Sequence, residues 1–409
     1  MSNPFSPAPG ALPARIVGRE PELSAIREAI RRAESGSPPV PLVFLGQRGM
    51  GKTVLLRELR DLGARRALAV PLEVVKGESL AGALREKLDD LVASVETLPA
   101  RVGHALEKTL RSLPTLSYEL PHEGGSISLG RPDEDPVAGQ REPLAAMVRA
   151  LMVAARAAKR YIVFTLDEIQ DVDVRSMGTL VRCVHESAQS DSPILLACAG
   201  LSESHAVLEK LRTYVQRWNS FDLRLLTESE TIEAIREPIV AAATAIGEPA
   251  LELLVREAAG YPFYIQAYGS AVWEQHRGSK ITLADVQAAL PPVRLRNEAA
   301  FYVRPLARIS PRETAFALAL ADFGPGSHEV GAVARALGLA APDVSSMRAT
   351  LVRKGIVAVP VPGRVEFRIP FTDRYLRDHR DEYETPDVRA YRQRIARRLR
   401  PPATEGDPP

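Results

Sequence analysis

The chain has 409 residues, 45% hydrophobic and 25% charged, with a formal net charge of +2. That balance excludes a wholly disordered or collagen-like polymer, and the length exceeds what one hydrophobic core usually holds, so two or three domains are expected. No run approaches the roughly 18 consecutive apolar residues of a membrane span, the opening residues carry no basic segment followed by an apolar one, and Cys183 and Cys198 cannot alone build a disulfide framework, so a cytoplasmic protein is expected.

In chain order, residues 1–14 hold little but Pro and Ala and read as a flexible arm. Leu23, Ile26 and Ile30 recur at helical spacing within 20–33. Val40–Leu45 is a short apolar run, expected as a buried strand, and 52–62 returns to helical spacing. A second strand is expected over 67–74, placed near a sheet edge by Pro71, which cannot donate to a ladder. Helices follow over 78–94 and 101–112. Residues 113–142, with Pro114, Pro121, Pro132, Pro136 and the cluster Asp133-Glu134-Asp135, read as a mobile insertion. A helix over 142–158, a strand over 161–166, a helix over 174–188 and strands over 193–199 and 221–226 complete an alternation that implies an α/β domain. Its sheet should be mainly parallel, with helices on both faces. Residues 228–308 read as helical. Residues 309–380 read as three helices and a two-stranded hairpin, and 381–409 as a basic helix and a disordered tail.

Gly46-Gln47-Arg48-Gly49-Met50-Gly51-Lys52-Thr53 fits the pattern G-x-x-x-x-G-K-[ST]. It follows an apolar strand and opens the helix 52–62, the context in which the pattern has chemical meaning, and residues 46–54, Val54 included, are the expected nucleotide-binding segment. Glycines let the loop turn its N–H groups inward as a nest for phosphate oxygens, and the helix adds its positive end. Lys52 supplies a cation for the β- and γ-phosphates, and Thr53 a hydroxyl for Mg²⁺. The strand 161–166 ends in Asp167-Glu168. At the tip of a parallel strand beside the phosphate loop, Asp167 can reach the metal shell and Glu168 can deprotonate an attacking water. The second carboxylate favours hydrolysis over binding alone.

Gly18-Arg19-Glu20, the loop 46–53 and Leu166-Asp167-Glu168-Ile169-Gln170 together resemble the AAA+ ATPases. The closer resemblance is to bacterial and archaeal ATPases of the origin-recognition-complex type, near the STAND NTPases. Ala199-Gly200-Leu201-Ser202, Tyr214-Val215-Gln216-Arg217 and Gly260-Tyr261-Pro262-Phe263 with Gln266 agree with it. The resemblance spans 15–380 and implies a P-loop AAA+-like parallel-sheet core over 15–227, a helical lid over 228–308 and a winged-helix domain over 309–380. It implies ATP as ligand, with Mg²⁺, and hydrolysis to ADP and phosphate. Val17, Gly18 and Arg19 should then lie near the adenine, and Tyr261 and Pro262 should bring the lid to the nucleotide. Arg217 is the candidate arginine finger, with Arg212 and Arg224 as competitors. The chain departs from the family in lacking a clear polar sensor at the fourth strand's end, where Ser202 is the substitute, and a lid arginine in 262–276. Slow or partner-stimulated turnover follows from those departures.

In 309–380 the order of helices and hairpin is that of a winged helix. Ser345, Ser346, Arg348, Arg353 and Lys354 fall on or beside the exposed face of its third helix, and Arg364 at the wing tip. Double-stranded DNA is the expected partner of that face. The alternative is a STAND-like signalling scaffold whose winged helix binds protein or a further copy of the chain; no membrane partner is expected.

Overall fold

The computed structural model describes residues 2–8, 10–75, 77–93, 141–188, 193–201, 204, 208–211 and 215–399. The helix expected over 101–112 and residues 113–140 of the insertion lie outside them.

Helix α1 (Glu20–Glu34) leads to β1 (Leu42–Leu45), α2 (Lys52–Gly63), β2 (Ala67–Glu73) and α3 (Leu80–Ala93). Beyond the undescribed stretch come α4 (Arg141–Ala157), β3 (Tyr161–Asp167), α5 (Val174–Ser187), β4 (Ile194–Gly200) and β5 (Asn219–Asp222). The five strands form one parallel sheet in the order β2-β3-β4-β1-β5. Successive strand side chains alternate between faces. Leu42 and Phe44 therefore join the core under α1, α2 and the following helices. Val43 and Leu45 join the core under α3, α4 and α5. Pro71 sits on β2, an edge strand, as its missing donor requires.

The fifth strand is shorter and earlier than the apolar run 221–226 suggests. It pairs Asn219 with Leu42 and Asp222 with Leu45 and stops there. Leu223 and Leu226 instead pack into the core beneath the helices that follow, and the Leu226 N–H donates to the Gly260 carbonyl at 2.8 Å.

Helices α6 (Glu228–Ala241), α7 (Glu248–Ala258), α8 (Pro262–Gln275) and α9 (Leu283–Glu298) form a bundle on the α1 side of the sheet. Thr227 and Glu230 close a capping box at the start of α6, and Pro262 at the first position of α8 starts that helix without losing a hydrogen bond. The helical expectation here omits one feature: β6 (Ala245–Ile246) and β7 (Lys280–Ile281) pair in parallel.

The last region has a separate core. It runs α10 (Pro311–Ala321), β8 (His328–Glu329), α11 (Val330–Ala336), α12 (Ala341–Arg353), β9 (Val357–Ala358), β10 (Arg364–Phe367), α13 (Thr372–Asp378) and α14 (Pro386–Leu399). The hairpin β9–β10 gains a third antiparallel strand in β8.

The amino-terminal arm departs from expectation. Phe5 is buried at 3% exposure, and Asn3 Nδ2 donates to Ser270 Oγ at 2.8 Å. An apolar anchor and a side-chain hydrogen bond tie the arm to α8.

Candidate functional site

Leu45 ends β1 opposite Gly200 of β4, and the Gly46 N–H donates to the Gly200 carbonyl at 3.2 Å. The chain then folds through 46–51 and enters α2 at Lys52. Gly51 caps that helix at φ 92°, a left-handed conformation natural to glycine. Gly49 is required on a second ground: at φ 73°, any Cβ would stand 2.3 Å from the Tyr261 hydroxyl. That hydroxyl donates to the Arg48 carbonyl at 2.8 Å, so the residue preceding α8 holds the loop directly.

Lys52 is buried, and its Nζ donates to the carbonyls of Gly46 at 2.8 Å and Gln47 at 2.9 Å. Burial pushes its ammonium down to about 8, with Glu168 and Asp167 opposing and Arg48 and Arg368 adding to the shift. Thr53 Oγ1 donates to Asp167 Oδ2 at 2.6 Å, joining the loop helix to the tip of β3 across the intervening β4. Burial pushes the Asp167 carboxyl up, against the Thr53 hydrogen bond.

Glu168 follows in a left-handed conformation, φ 54° and ψ 46°, unusual for a non-glycine residue and common where backbone strain serves a site. Its N–H donates to Asp167 Oδ1 at 2.9 Å. Its side chain is held by Gln170, whose Nε2 donates to Glu168 Oε2 at 2.5 Å. Gln170 Oε1 in turn accepts from the Leu201 N–H at 3.0 Å and the Ser204 hydroxyl at 3.3 Å. Gln170 thus bridges the two strand tips.

These groups line one cavity of about 500 Å³. Val17, Arg19, Arg48, Gly49, Met50, Gly51, Lys52, Thr53, Val54, Asp167, Glu168, Tyr261 and Pro262, all singled out in the sequence, are on its wall. Gly18, Gly46 and Gln47 are not among the lining residues. Gln47 turns away, and its Nε2 donates to the Phe367 carbonyl at 2.7 Å. Arg19 lies on the wall, but its guanidinium donates to the carbonyls of Gly18, Met50 and Arg224, and burial lowers its pKa. That is a brace between the loop and the chain after β5. Arg217 is exposed ahead of β5 and away from the cavity, while Ser202 lies outside the described residues. Arg224, one of its competitors, is paired with Glu230.

Three groups on or beside the cavity carry no motif. The arm residues Ser6–Ala8, Gly10, Ala11 and Pro13 line it; Gln266 lines it from α8; and Gln170 positions Glu168. Only Gln170 and Gln266 stand inside segments whose pattern drew attention to them.

The donor set fits a magnesium triphosphate. A cationic side chain, a glycine turn at a helix N-terminus, a hydroxyl and two carboxylates converge on one cavity. Among the described residues, no group of three or more His, Cys, Asp or Glu is arranged to hold a metal ion.

In the C-terminal region, Ser345 and Arg353 are exposed on α12, and Arg348 is half-buried. Lys354 is exposed, and its side chain reaches back onto the fold. Its Nζ donates to the buried Glu313 carboxylate at 2.7 Å and the Arg308 carbonyl at 2.8 Å. Arg364 is likewise engaged, its Nε donating to Ser327 Oγ at 3.0 Å. Both cations are therefore engaged by acceptors of their own fold.

Residues 15–197 match the family described as AAA ATPase domain, and residues 299–376 one described as a domain of unknown function, DUF8462. No curated protein matches the sequence. Among solved structures, a Walker-type ATPase of Pyrococcus abyssi is 14% identical with a TM-score of 0.54, covering 91% of this chain and 99% of its own. The Cdc6p of Pyrobaculum aerophilum is 15% identical at a TM-score of 0.46, covering 96% and 98%. The Thermotoga maritima RuvB Holliday junction branch migration motor is 16% identical at 0.43, covering 88% and 95%. The match over 15–197 thus places an AAA ATPase domain in that part of the chain, and the sheet order and the loop-to-Asp167 geometry give it the α/β P-loop AAA+ fold.

Proposed function

We propose that the chain is a Mg²⁺-dependent ATP switch that hydrolyses ATP slowly and passes the state of its nucleotide site to the C-terminal region. The observation that carries this is the 2.6 Å hydrogen bond from Thr53 to Asp167 on the wall shared with Lys52 and Glu168. Thr53 and Asp167 would hold Mg²⁺. The bound cation would neutralise phosphate charge and fix the oxygens for in-line attack. Lys52 and the loop amides bind and orient the phosphates. Glu168, steadied by Gln170, accepts a proton from water as that water's oxygen bonds to the γ-phosphorus and the bond to the β-phosphate bridging oxygen breaks. Arg217, exposed beside the edge strand β5, is suited to reach the site of a second copy, and its absence from this chain's own cavity fits partner-stimulated turnover.

We read the C-terminal region as a winged helix, from its helix, strand, two helices and hairpin in that order, and duplex DNA as its partner. A groove of about 750 Å³ lined by Arg312, Arg335 and Arg394 beside the start of α12 supports an anionic partner. The internal engagement of Lys354 and Arg364 favours the second reading, a scaffold whose C-terminal region docks on protein. Among the described residues no helix is long and apolar enough to cross a membrane. The two buried free thiols fit a reducing, cytoplasmic setting.

Calorimetric titration with Mg-ATP and measurement of phosphate release test the site. Wild type should bind ATP, Lys52→Ala should not, and Glu168→Gln should bind while losing about 10²–10⁴-fold in turnover, the usual worth of a general base. Equal phosphate release by wild type and Glu168→Gln would remove the hydrolytic assignment, and absence of binding by wild type would remove the whole reading.

A further inference from the structure

The arm makes three attachments to α8 and one to α2. Asn3 Nδ2 donates to Ser270 Oγ at 2.8 Å and to Glu274 Oε1 at 3.3 Å. The buried Phe5 ring lies against Gly269, where a Cβ would come within 2.6 Å of it. The Ser6 N–H donates to Gln266 Oε1 at 2.9 Å. These partners stand at 266, 269, 270 and 274, the i, i+3, i+4, i+8 spacing of one helix face. Further on, Arg57 NH1 donates to the Gly10 carbonyl at 3.3 Å, and a Cβ on Gly10 would stand 3.3 Å from Thr53 Cγ2. The arm therefore runs from α8 to the first turns of α2, and its residues between those points line the cavity.

The wall made by its proline and alanine residues is chemically distinct from the wall made by the phosphate loop. Pro7, Ala8, Ala11 and Pro13 are small and apolar, and they face the same space as Val17 and Ile265. Lys52, Asp167 and Glu168 lie at the phosphate-loop end. An apolar slot with a few polar groups suits a flat heteroaromatic ring, not a phosphate. Gln266 is one of those polar groups. Its Oε1 is occupied by the Ser6 N–H, and among the described residues its Nε2 makes no hydrogen bond, so at the cavity wall it serves as a donor.

We propose that residues 3–8 and 10–13 form a strap that closes the nucleoside end of the cavity and slows nucleotide release, and that Gln266, oriented by Ser6, donates to a ring nitrogen of the base. This rests on the nucleotide reading of the cavity. Release requires the strap to leave α8 or α2, so its attachments act on the dissociation rate more than on association. Pro4, Pro7 and Pro13 lower the entropy cost of holding the strap in place.

The test is the dissociation of radiolabelled ATP from the full chain after a chase of unlabelled ATP. Phe5→Asp, which removes the apolar anchor, should speed release tenfold or more. Gln266→Leu, which removes the acceptor of the Ser6 N–H and the free amide donor together, should speed it about threefold. Amide hydrogen exchange in wild type gives a readout independent of any variant: saturating ATP should slow exchange of residues 6–11. Release at the wild-type rate from the folded variants, or exchange in 6–11 unmoved by ATP, overturns the strap while leaving the nucleotide site standing. Failure of wild type to retain any labelled ATP overturns both, and only that outcome touches the underlying reading.

Discussion

The Gln47 side chain, in the phosphate loop, donates to the main-chain carbonyl of Phe367 at 2.7 Å, across 320 positions of sequence. Phe367 ends β10, and the next residue's N–H continues the hairpin by donating to the Ile356 carbonyl at 3.0 Å. One hydrogen bond thus joins the loop to the C-terminal sheet. A second route runs through rings. Tyr261, which holds the Arg48 carbonyl, meets Phe371 edge-on at 5.9 Å; Phe371 stacks on Tyr264 at 5.8 Å; and the Tyr264 and Tyr302 hydroxyls are 2.6 Å apart.

Gln47→Ala removes the first route while leaving the cavity wall intact. A net contribution of about 1 kcal/mol is expected for a hydrogen bond of this kind. ATP affinity should change by less than about threefold, because Gln47 is not on the wall. Hydrogen exchange over 364–368 should respond to ATP in wild type and lose that response in the variant. A response of equal size in both would show that the aromatic route alone carries the coupling.

Lys52 predicts a pH dependence of binding. Its ammonium is held down to about 8 by burial, and an anionic ligand favours the charged form. Below that value the lysine is already protonated and binding takes up no proton there. Above it, binding must first protonate the lysine, so ATP affinity should fall about tenfold between pH 7 and pH 9. Calorimetry at pH 8.5 in buffers of different ionisation enthalpy should record proton uptake. A flat affinity profile across that interval contradicts the assignment.

Much of the site was legible because its chemistry is local. Gly46–Thr53 and Asp167-Glu168 are short runs whose residue types and flanking strands fix their roles, and the cavity gathers most of them. The sheet was legible for the same reason, four of its five strands being apolar runs. What was hidden depends on partners far along the chain. Nothing near Asn3 announces Ser270, 267 positions away. A charged residue does not announce its acceptor either: Arg19, Lys354 and Arg364 read as ligand-facing cations, and each is spent on carbonyls, a carboxylate or a hydroxyl of its own fold. The apolar run 221–226 misled for a related reason, since Leu223 and Leu226 are apolar for the sake of the core under helices α6–α9, not the sheet.

Gln170 should behave as a positioning residue. It spans Glu168 and the tip of β4 with both ends of one amide. Gln170→Leu keeps the volume and removes both contacts. We expect kcat to fall about tenfold, a part of what a misplaced base costs, with KM within about twofold. A variant that loses KM and kcat together would mark Gln170 as structural support for the cavity instead.

The Arg224–Glu230 pair predicts an acid-dependent stability term. Glu230 accepts from both terminal nitrogens of Arg224 at 2.7 and 2.6 Å and from the Thr227 N–H at 2.7 Å. The Arg224 hydrogen bond, first among these, holds its carboxyl down to about 2. A depressed carboxylate contributes stability that is complete above the unfolded value near 4.5 and lost as pH falls through the folded one. Glu230→Ala should lower unfolding free energy by about 1 kcal/mol at neutral pH, chiefly through the lost cap. The gap to wild type should close between pH 4.5 and 2. Denaturant melts across that interval check it, and a gap that persists at the acid end argues for packing of Glu230 over Gly18 as the source.

The C-terminal face decides between DNA and protein as partner. With Lys354 and Arg364 engaged internally, Arg348 and Arg353 are the cations that α12 offers, beside the groove lined by Arg312, Arg335 and Arg394. Each phosphate contact adds about 0.9 to the slope of log affinity against log salt on duplex DNA. Titration of a duplex in the presence of ATP, at several salt concentrations, should give a slope that drops by about two in the variant Arg348→Ala/Arg353→Ala. The further change Lys354→Ala should leave the slope unchanged and lower stability, because that lysine neutralises the buried Glu313 carboxylate. A slope that falls with Lys354→Ala would mean that the ion pair opens on DNA. No binding at low salt would leave the basic groove to an acidic protein surface, and the ATP site would then govern docking of a protein partner through Gln47 and the aromatic path.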